Sequence, residues 1–309
     1  MSFFKKMERK MYSPENASSA ADSSPPRLLV PQNDVEYDEE FYEGRPKKLV
    51  LLASTPRVGS GVLWDGLIAA GVLPTSTELF EGVHMKDFFK RWGELTKADY
   101  LKKLFQYRTN KKGIFGVKAH HQQFIGFRDI FPLENCQAIL IERKDKIDQA
   151  VSHLLGFHTQ QWSSQGAKIC EPSMQMYDYY RLRGYLQNVI DGTKFWCNFF
   201  TDNGIKPKYV TYKDLSANYA ETIASVASWV AGAEIKAADI KPPEKQVLRN
   251  ELSQKLKERF IKDLRKFGTD EGEFYRLYWP DHIKPKRRFR RWWRRIRKGM
   301  PPLFQERNA

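Results

Sequence analysis

Four short apolar runs alternate along the chain with longer stretches in which apolar residues recur every three or four positions. Residues 49–53 (LVLLA) are apolar without alternation, as a strand buried on both faces of a parallel sheet requires. The same reading predicts strands at residues 114–118 (IFGVK), 138–141 (AILI) and 208–212 (KYVTY). Helical spacing fills the intervals: from the first strand's turn to about residue 70, over a polar stretch at 84–112, at 146–157, over a long aromatic stretch at 174–200, and at 217–230. In the first helix Leu63, Leu67 and Ala70 share a face with Trp64 and Ile68 beside it, and Gly71 falls at the position that ends helices. Asp145 is placed to cap the helix at 146–157, whose core face is Ile147, Val151 and Leu154 or Leu155. Alternating strand and helix predicts an α/β fold of three layers with a mainly parallel central sheet flanked by helices.

The two ends break this pattern. Residues 1–45 carry SPENASSAADSSPP and then the acidic run DVEYDEEFYEG with little periodicity, which predicts a disordered arm ahead of a single domain at 46–283. In the tail, 284–309, Phe289, Trp292, Trp293 and Ile296 fall at i, i+3, i+4 and i+7 with arginines and lysines between them. That is the pattern of a basic amphipathic helix lying on an anionic membrane surface. Packing of the aromatic face on the body or on a partner subunit, or contact with nucleic acid or a sulfated product, are the other readings.

The net charge of +15 is concentrated in that tail: residues 284–298 hold ten Lys/Arg and no acid, leaving the other residues a net +5. A body so modestly basic fits a small anionic ligand better than a specific nucleic acid. The 309 residues, 41% hydrophobic and 14% aromatic, suit one core-forming domain. Cys136, Cys170 and Cys197 are odd in number and lack metal or redox spacing, so they read as reduced core residues of a cytoplasmic protein. Neither a signal peptide nor a run of 18 apolar residues is present, so any membrane association would be peripheral, on the inner face.

Candidate chemistry gathers where strands end. Between the first strand and its helix stand Ser54, Thr55, Pro56, Arg57, Val58, Gly59, Ser60 and Gly61: hydroxyls, one guanidinium, and glycines that let backbone N–H groups converge on an anion at a helix N-terminus. A Walker A loop would carry a lysine after its second glycine, and none is there, which disfavours a P-loop-like kinase. Arginine in the loop suits a phosphate or sulfate held in bidentate fashion. Lys118, His120 and His121 follow the second strand, and Glu78 and Glu81 lie in the segment after the first helix, near the same sheet edge. Arg143 and Ser152 would converge on one phosphate if their turn folds back, with Gln149 one turn from Ser152. No cluster has metal-ligand spacing, and none is expected.

Taken together, TPRVGSGVLWDGLIAAGV, TELF, FGVK, IERKDKIDQAVSHLLGFHTQQW and the YKDL ending at Leu215 resemble the bacterial trehalose 2-sulfotransferase family over residues 49–215. The most specific part runs from Arg143 through Gln149-Ala150-Val151-Ser152, with Trp162 at a family-like position. The resemblance implies a P-loop-like fold, a homodimer, and transfer of a sulfuryl group from 3′-phosphoadenosine 5′-phosphosulfate (PAPS) to a hydroxyl of a sugar, glycolipid or small alcohol. By it, Thr55, Arg57, Gly59, Ser60 and Gly61 would hold the 5′-phosphosulfate, Arg143 and Ser152 the 3′-phosphate, and Glu78 would be the general base. His120 is the rival base, because Lys118-Ala119-His120 is similar to the strand-end Lys-Thr-His of cytosolic sulfotransferases, and Lys118 with Arg57 would supply positive charge. Val58 and Gly61 stand where the family has hydroxyl residues, which removes two oxygen contacts and leaves a membrane-attached nucleotide-binding protein with a degenerate loop as the alternative.

Overall fold

The computed structural model describes residues 35–74, 78–162, 166, 168–242 and 250–267. Four strands, β1 (Lys48–Ser54), β2 (Ile114–His120), β3 (Cys136–Glu142) and β4 (Lys208–Thr211), pair in the order β2-β1-β3-β4, all parallel. The expected α/β architecture, P-loop-like with a parallel central sheet between helices, is present. Leu51 lies opposite Val117 on one side and Ala138 on the other, and Ser54 opposite His120. Because the chain adds β2 to one side of β1 and then β3 to the other, the carboxyl end of β1 is a topological switch point, where sheets of this kind bind ligands.

Side chains alternate across each strand, so the unbroken apolar runs split between two layers. Leu49, Leu51 and Ala53 face a core shared with Val117, Leu140 and four helices: α2 (Gly82–Trp92), which contributes Phe88, α3 (Lys97–Arg108), α4 (His121–Ile125) and the end of α6 (Tyr179–Asp202), which contributes Trp196 and Phe200. Val50 and Leu52 face the opposite layer, α1 (Ser60–Ala69) and α8 (Tyr219–Ala231). Leu63, Trp64 and Leu67 of α1 are buried there, each contributing about 1.5–3 kcal/mol. A third cluster joins α5 (Lys146–Thr159), the first half of α6 and α9 (Glu251–Phe267) through Val151, Leu186 and Phe260. Asp145 caps α5, accepting from the Asp148 N–H at 2.9 Å, and Gly71, with φ 70°, follows α1 in the left-handed conformation that ends helices.

Several boundaries differ from expectation. The stretch 84–112 is two helices, α2 (Gly82–Trp92) and α3, because Gly93 turns the chain at φ 79° and Thr96 caps α3 by accepting from Asp99 N–H at 3.1 Å. Tyr212 opens α7 (Tyr212–Ala217) rather than closing β4, since the Thr211 hydroxyl accepts from Asp214 N–H. Helix α6 begins at Tyr179, after a short 3₁₀ turn at Met174–Met176. Cys170 is exposed rather than in the core, while Cys136 and Cys197 are half-buried. Within the arm, Asp38 is held by Arg108 at 3.1 Å and by Arg91, and Glu39 N–H bonds the Tyr107 carbonyl at 2.8 Å. Residues 1–34 and the tail with Phe289, Trp292, Trp293 and Ile296 lie outside the described residues. Among the described residues no helix is long and apolar enough to cross a membrane.

Candidate active site

Two clusters meet at the carboxyl edge of β1. The first is built on the loop from Thr55 to Gly59. Arg57 has φ 65° and Gly59 φ 90°, while Val58 between them has no positive φ. Such alternation turns successive N–H groups to the same side, the arrangement of an anion-binding nest. Gly59 is also the N-cap of α1 and brings no side-chain cap, which leaves the first-turn N–H groups of Ser60 and Gly61 available to an anion. A side chain at Gly59 would be strained by its φ and would meet the Tyr212 ring at 2.7 Å. Val58 is fully buried in the core under α1, so the residue standing where the family has a hydroxyl packs instead of facing the loop's concave side.

Three elements fix this loop. Trp196 of α6 donates its indole N–H to the Ser54 carbonyl at 2.9 Å. Gln149 of α5, fully buried, donates to Thr55 Oγ1 at 2.7 Å and to the Pro56 carbonyl at 2.6 Å. Arg57 Nε donates to Ser152 Oγ at 3.1 Å, and its guanidinium also donates to the Trp162 carbonyl and lies 5.7 Å from that indole's centroid. Arg143 sits on the ring of Tyr212 at 4.8 Å and reaches Asp148 Oδ2 at 3.4 Å. Burial, and after it the nearby Arg143 charge, lower the Arg57 pKa to about 10. Arg57, Arg143 and Ser152 are thus one neighbourhood, with Arg57 in contact with Ser152 and within the field of Arg143.

The second cluster joins β2 to the segment before α2. Lys118 Nζ is 3.1 Å from Glu78 Oε1, and His120 Nε2 is 3.6 Å from the same oxygen. Gln123 of α4 donates to Glu78 Oε2 and to Glu81 Oε2, both at 2.7 Å, while its own Oε1 accepts from the His120 N–H at 2.8 Å. Burial raises the Glu78 pKa, but Lys118, His120 and Gln123 together outweigh it and hold the carboxyl well below its usual range. For His120 burial is the largest influence and lowers the pKa against the field of Glu78. Its Nδ1 lies 2.9 Å from Ser54 Oγ, which donates to the Ala119 carbonyl at 3.3 Å. Either tautomer satisfies this chain: with Nδ1 protonated the ring donates to Ser54 Oγ and Nε2 keeps its lone pair, and with Nε2 protonated the ring N–H faces Glu78 while Nδ1 accepts from the Ser54 hydroxyl.

The expected residues therefore assemble in two groups: Thr55, Arg57, Gly59, Ser60, Gly61, Arg143 and Ser152 around the loop, and Glu78, Lys118 and His120 beside it. His121, also a candidate, opens α4 with its Nδ1 buried and unbonded, and Gly192 of α6 leaves it room; burial lowers its pKa to about 4. Sequence reasoning missed the bridging role of Gln123. It also missed His84, whose pKa burial lowers against the fields of Glu78, Glu81 and Asp87. Among the described residues no three His, Cys, Asp or Glu gather in a way that could hold a metal ion.

A parallel sheet with a nest at its switch point and two arginines beside it is an α/β arrangement with the donors an anion would need. Residues 120–263 match the model of the Stf0 sulphotransferase family. The match spans β3 and β4 with the helices between them, and α9; the loop at Thr55–Gly59 and Glu78 precede it. No curated protein sequence matches the chain. Among solved structures, a sulfotransferase from Alicyclobacillus acidocaldarius is 10% identical, with 72% of this chain and 94% of that one covered at a TM-score of 0.42. A retinol dehydratase in complex with androsterone and inactive cofactor PAP is 14% identical, with 75% and 70% covered at 0.34.

Proposed function

We propose that this chain is a sulfotransferase that takes its sulfuryl group from PAPS and delivers it to a hydroxyl of a carbohydrate or glycolipid. The observation that carries the reading is the pairing of Arg57 with Arg143 beside a nest at the end of β1, next to a charge-balanced acid–base cluster. The donor set fits a bisphosphorylated nucleotide: two guanidiniums, the Ser152 hydroxyl and converging N–H groups, in a spot where positive charge is in excess. When bound, PAPS supplies an activated sulfuryl group and leaves as the 3′,5′-bisphosphate. Arg57 and the N–H groups of Gly59 and Ser60 would hold the 5′ end, and Arg143 with Ser152 the 3′-phosphate.

For the proton, resemblance points to Glu78 and chemistry favours His120. A base works best when its pKa lies near the working pH. Glu78, paired with Lys118, is too weak a base, whereas neutral His120 presents a basic Nε2 beside it. In this reading His120 accepts the acceptor hydroxyl's proton, Glu78 and Gln123 orient the hydroxyl, and Lys118 stabilises the charge that develops as the hydroxyl attacks in line. Cytoplasmic residence, a homodimer and membrane docking through the tail at 284–309 complete the proposal.

Calorimetric titration with 3′,5′-bisphosphoadenosine, followed by transfer of labelled sulfate from PAPS to sugars, glycolipids and small alcohols, tests it. Binding below millimolar concentration with transfer to a sugar-bearing acceptor is the expected result. No binding would remove the PAPS reading, and binding without transfer to any acceptor would favour the degenerate nucleotide-binding alternative.

A further inference from the structure

Lys257 of α9 is only 3% exposed, and a buried ammonium is costly unless its partners are well placed. It lies 2.5 Å from Asp145 Oδ2 and 2.9 Å from Asp148 Oδ1. Asp145 is the N-cap of α5 and Asp148 is in that helix's first turn, so one lysine clamps both carboxylates at the end of the helix that carries Gln149 and Ser152. The other oxygen of Asp148 reaches Arg143. A continuous chain of charges thus runs from α9 through Asp148 to the guanidinium assigned above to the 3′-phosphate. Apolar contacts reinforce the seat: Leu256, Phe260 and Leu264 of α9 are buried against Ile147, Val151 and Leu154 of α5.

We infer that Lys257 is a positioning residue for nucleotide binding. By holding Asp148, it keeps Arg143 aimed at the phosphate it binds, so that α9, more than 100 residues further along the chain, sets cofactor affinity. Asp148 facing Arg143 alone would draw the guanidinium into a tight pair and spend its donors there. With Lys257 sharing the carboxylate, the Arg143–Asp148 contact stays at 3.4 Å, long for a charge-assisted bond, and the guanidinium keeps donors for an anion. The inference rests on the PAPS reading, and specifically on Arg143 as a phosphate ligand.

The test is a double-mutant cycle on the full chain, read by titration with 3′,5′-bisphosphoadenosine and by steady-state transfer. Lys257→Met keeps an unbranched stem in the cluster and removes the charge. It is expected to raise the dissociation constant about tenfold, in the range of coupling seen in buried ionic networks, and to raise KM for PAPS alike while kcat changes less than twofold. In an Arg143→Ala background the same substitution is expected to change the dissociation constant less than twofold. Asp148→Asn, which leaves the Asp145–Lys257 pair, provides the second arm and is expected to weaken binding as well, even if the Met variant fails to fold. Equal losses with and without Arg143, or unchanged binding in both variants despite a lower melting temperature, would reduce Lys257 to a structural clamp and overturn the inference. Should the unmodified protein not bind the bisphosphate at all, the PAPS reading itself falls, an outcome read from that single titration.

Discussion

The two halves of the site treat charge in opposite ways. Around the loop, Arg57 and Arg143 stand close enough for one to depress the other's pKa, and Arg57's own bonds go to a hydroxyl, a carbonyl and an indole face, none of which neutralises it. A few residues away, Glu78 is compensated by Lys118, and both oxygens of its carboxylate are occupied. One half holds a surplus that an anion would relieve; the other holds a balanced network in which a proton can be moved without leaving a bare charge. In the proposed reaction binding energy and proton transfer fall to different groups, and substitutions in the two halves should separate in kinetics.

The largest separation is expected at His120. Replacing it by Asn keeps a side-chain amide near Ser54 and removes the basic Nε2, so single-turnover sulfuryl transfer should fall about a hundredfold or more, with bisphosphate affinity unchanged. Because its pKa is lowered by burial, the wild-type rate should be flat near neutrality and fall only at pH below the ordinary histidine range, as the imidazole gains a proton. That acid limb should vanish in the variant. Glu78→Gln is the matched control: a larger loss there than in His120→Asn would return the role of base to the carboxylate.

On the arginine side the effect should appear in binding. On the proposed reading Arg143→Ala removes a ligand to a phosphate remote from the reacting sulfur, so its dissociation constant for the bisphosphate should rise about ten- to a hundredfold, as loss of a charged hydrogen bond implies, while the rate from the saturated complex changes little. A loss confined to the saturated rate would dissolve the proposed division. Gly59→Ala sits between the two in kind. Its φ of 90° and the Tyr212 ring 2.7 Å from the new methyl carbon should cost about 1–2 kcal/mol of stability, measured by denaturant unfolding, and loosen the nest. Unchanged stability would mean that Tyr212 moves aside, and with it the ring under Arg143.

Much of this arrangement was legible in the chain. The apolar runs around Leu51, Val117 and Ile139 announced strands buried on both faces, and the residues directly after them, His120 and Arg143, stand at the same sheet edge because parallel strands deliver their carboxyl ends to one side. What stayed hidden depends on partners far along the chain. Gln149 meets Thr55 across 94 residues and Gln123 meets Glu78 across 45, and an amide carries no periodic or charge signal that marks it in advance. The break between α2 and α3 had a local cue in Gly93 and Thr96, outweighed by the continuous polar character of 84–112. Helix α9 went unforeseen although Leu252, Leu256, Phe260 and Leu264 recur every fourth residue, a face that needs α5 and α6 to bury it.

The smallest effect bears most directly on the surplus of charge. A basic group whose folded-state pKa is lowered, as that of Arg57 is to about 10, carries a charge that the fold disfavours relative to the unfolded chain. That charge subtracts stability at every pH below the lowered pKa, and the penalty disappears only as the group deprotonates above it. Arg57→Met removes the charge while retaining the stem, and an unbranched side chain is no more strained at φ 65° than the arginine it replaces. The ligand-free variant should gain about 1 kcal/mol, or roughly 2–4 °C in melting temperature for a chain of this size, net of the lost bond to Ser152. With bisphosphate at a hundred times its dissociation constant the order should reverse, since the wild type then gains about 2.7 kcal/mol and the variant, lacking the loop cation, gains little. Thermal melts of both proteins with and without the nucleotide read the crossing directly; a variant less stable in both conditions would mean that the bonds to Ser152 and Trp162 outweigh the repulsion between the two arginines.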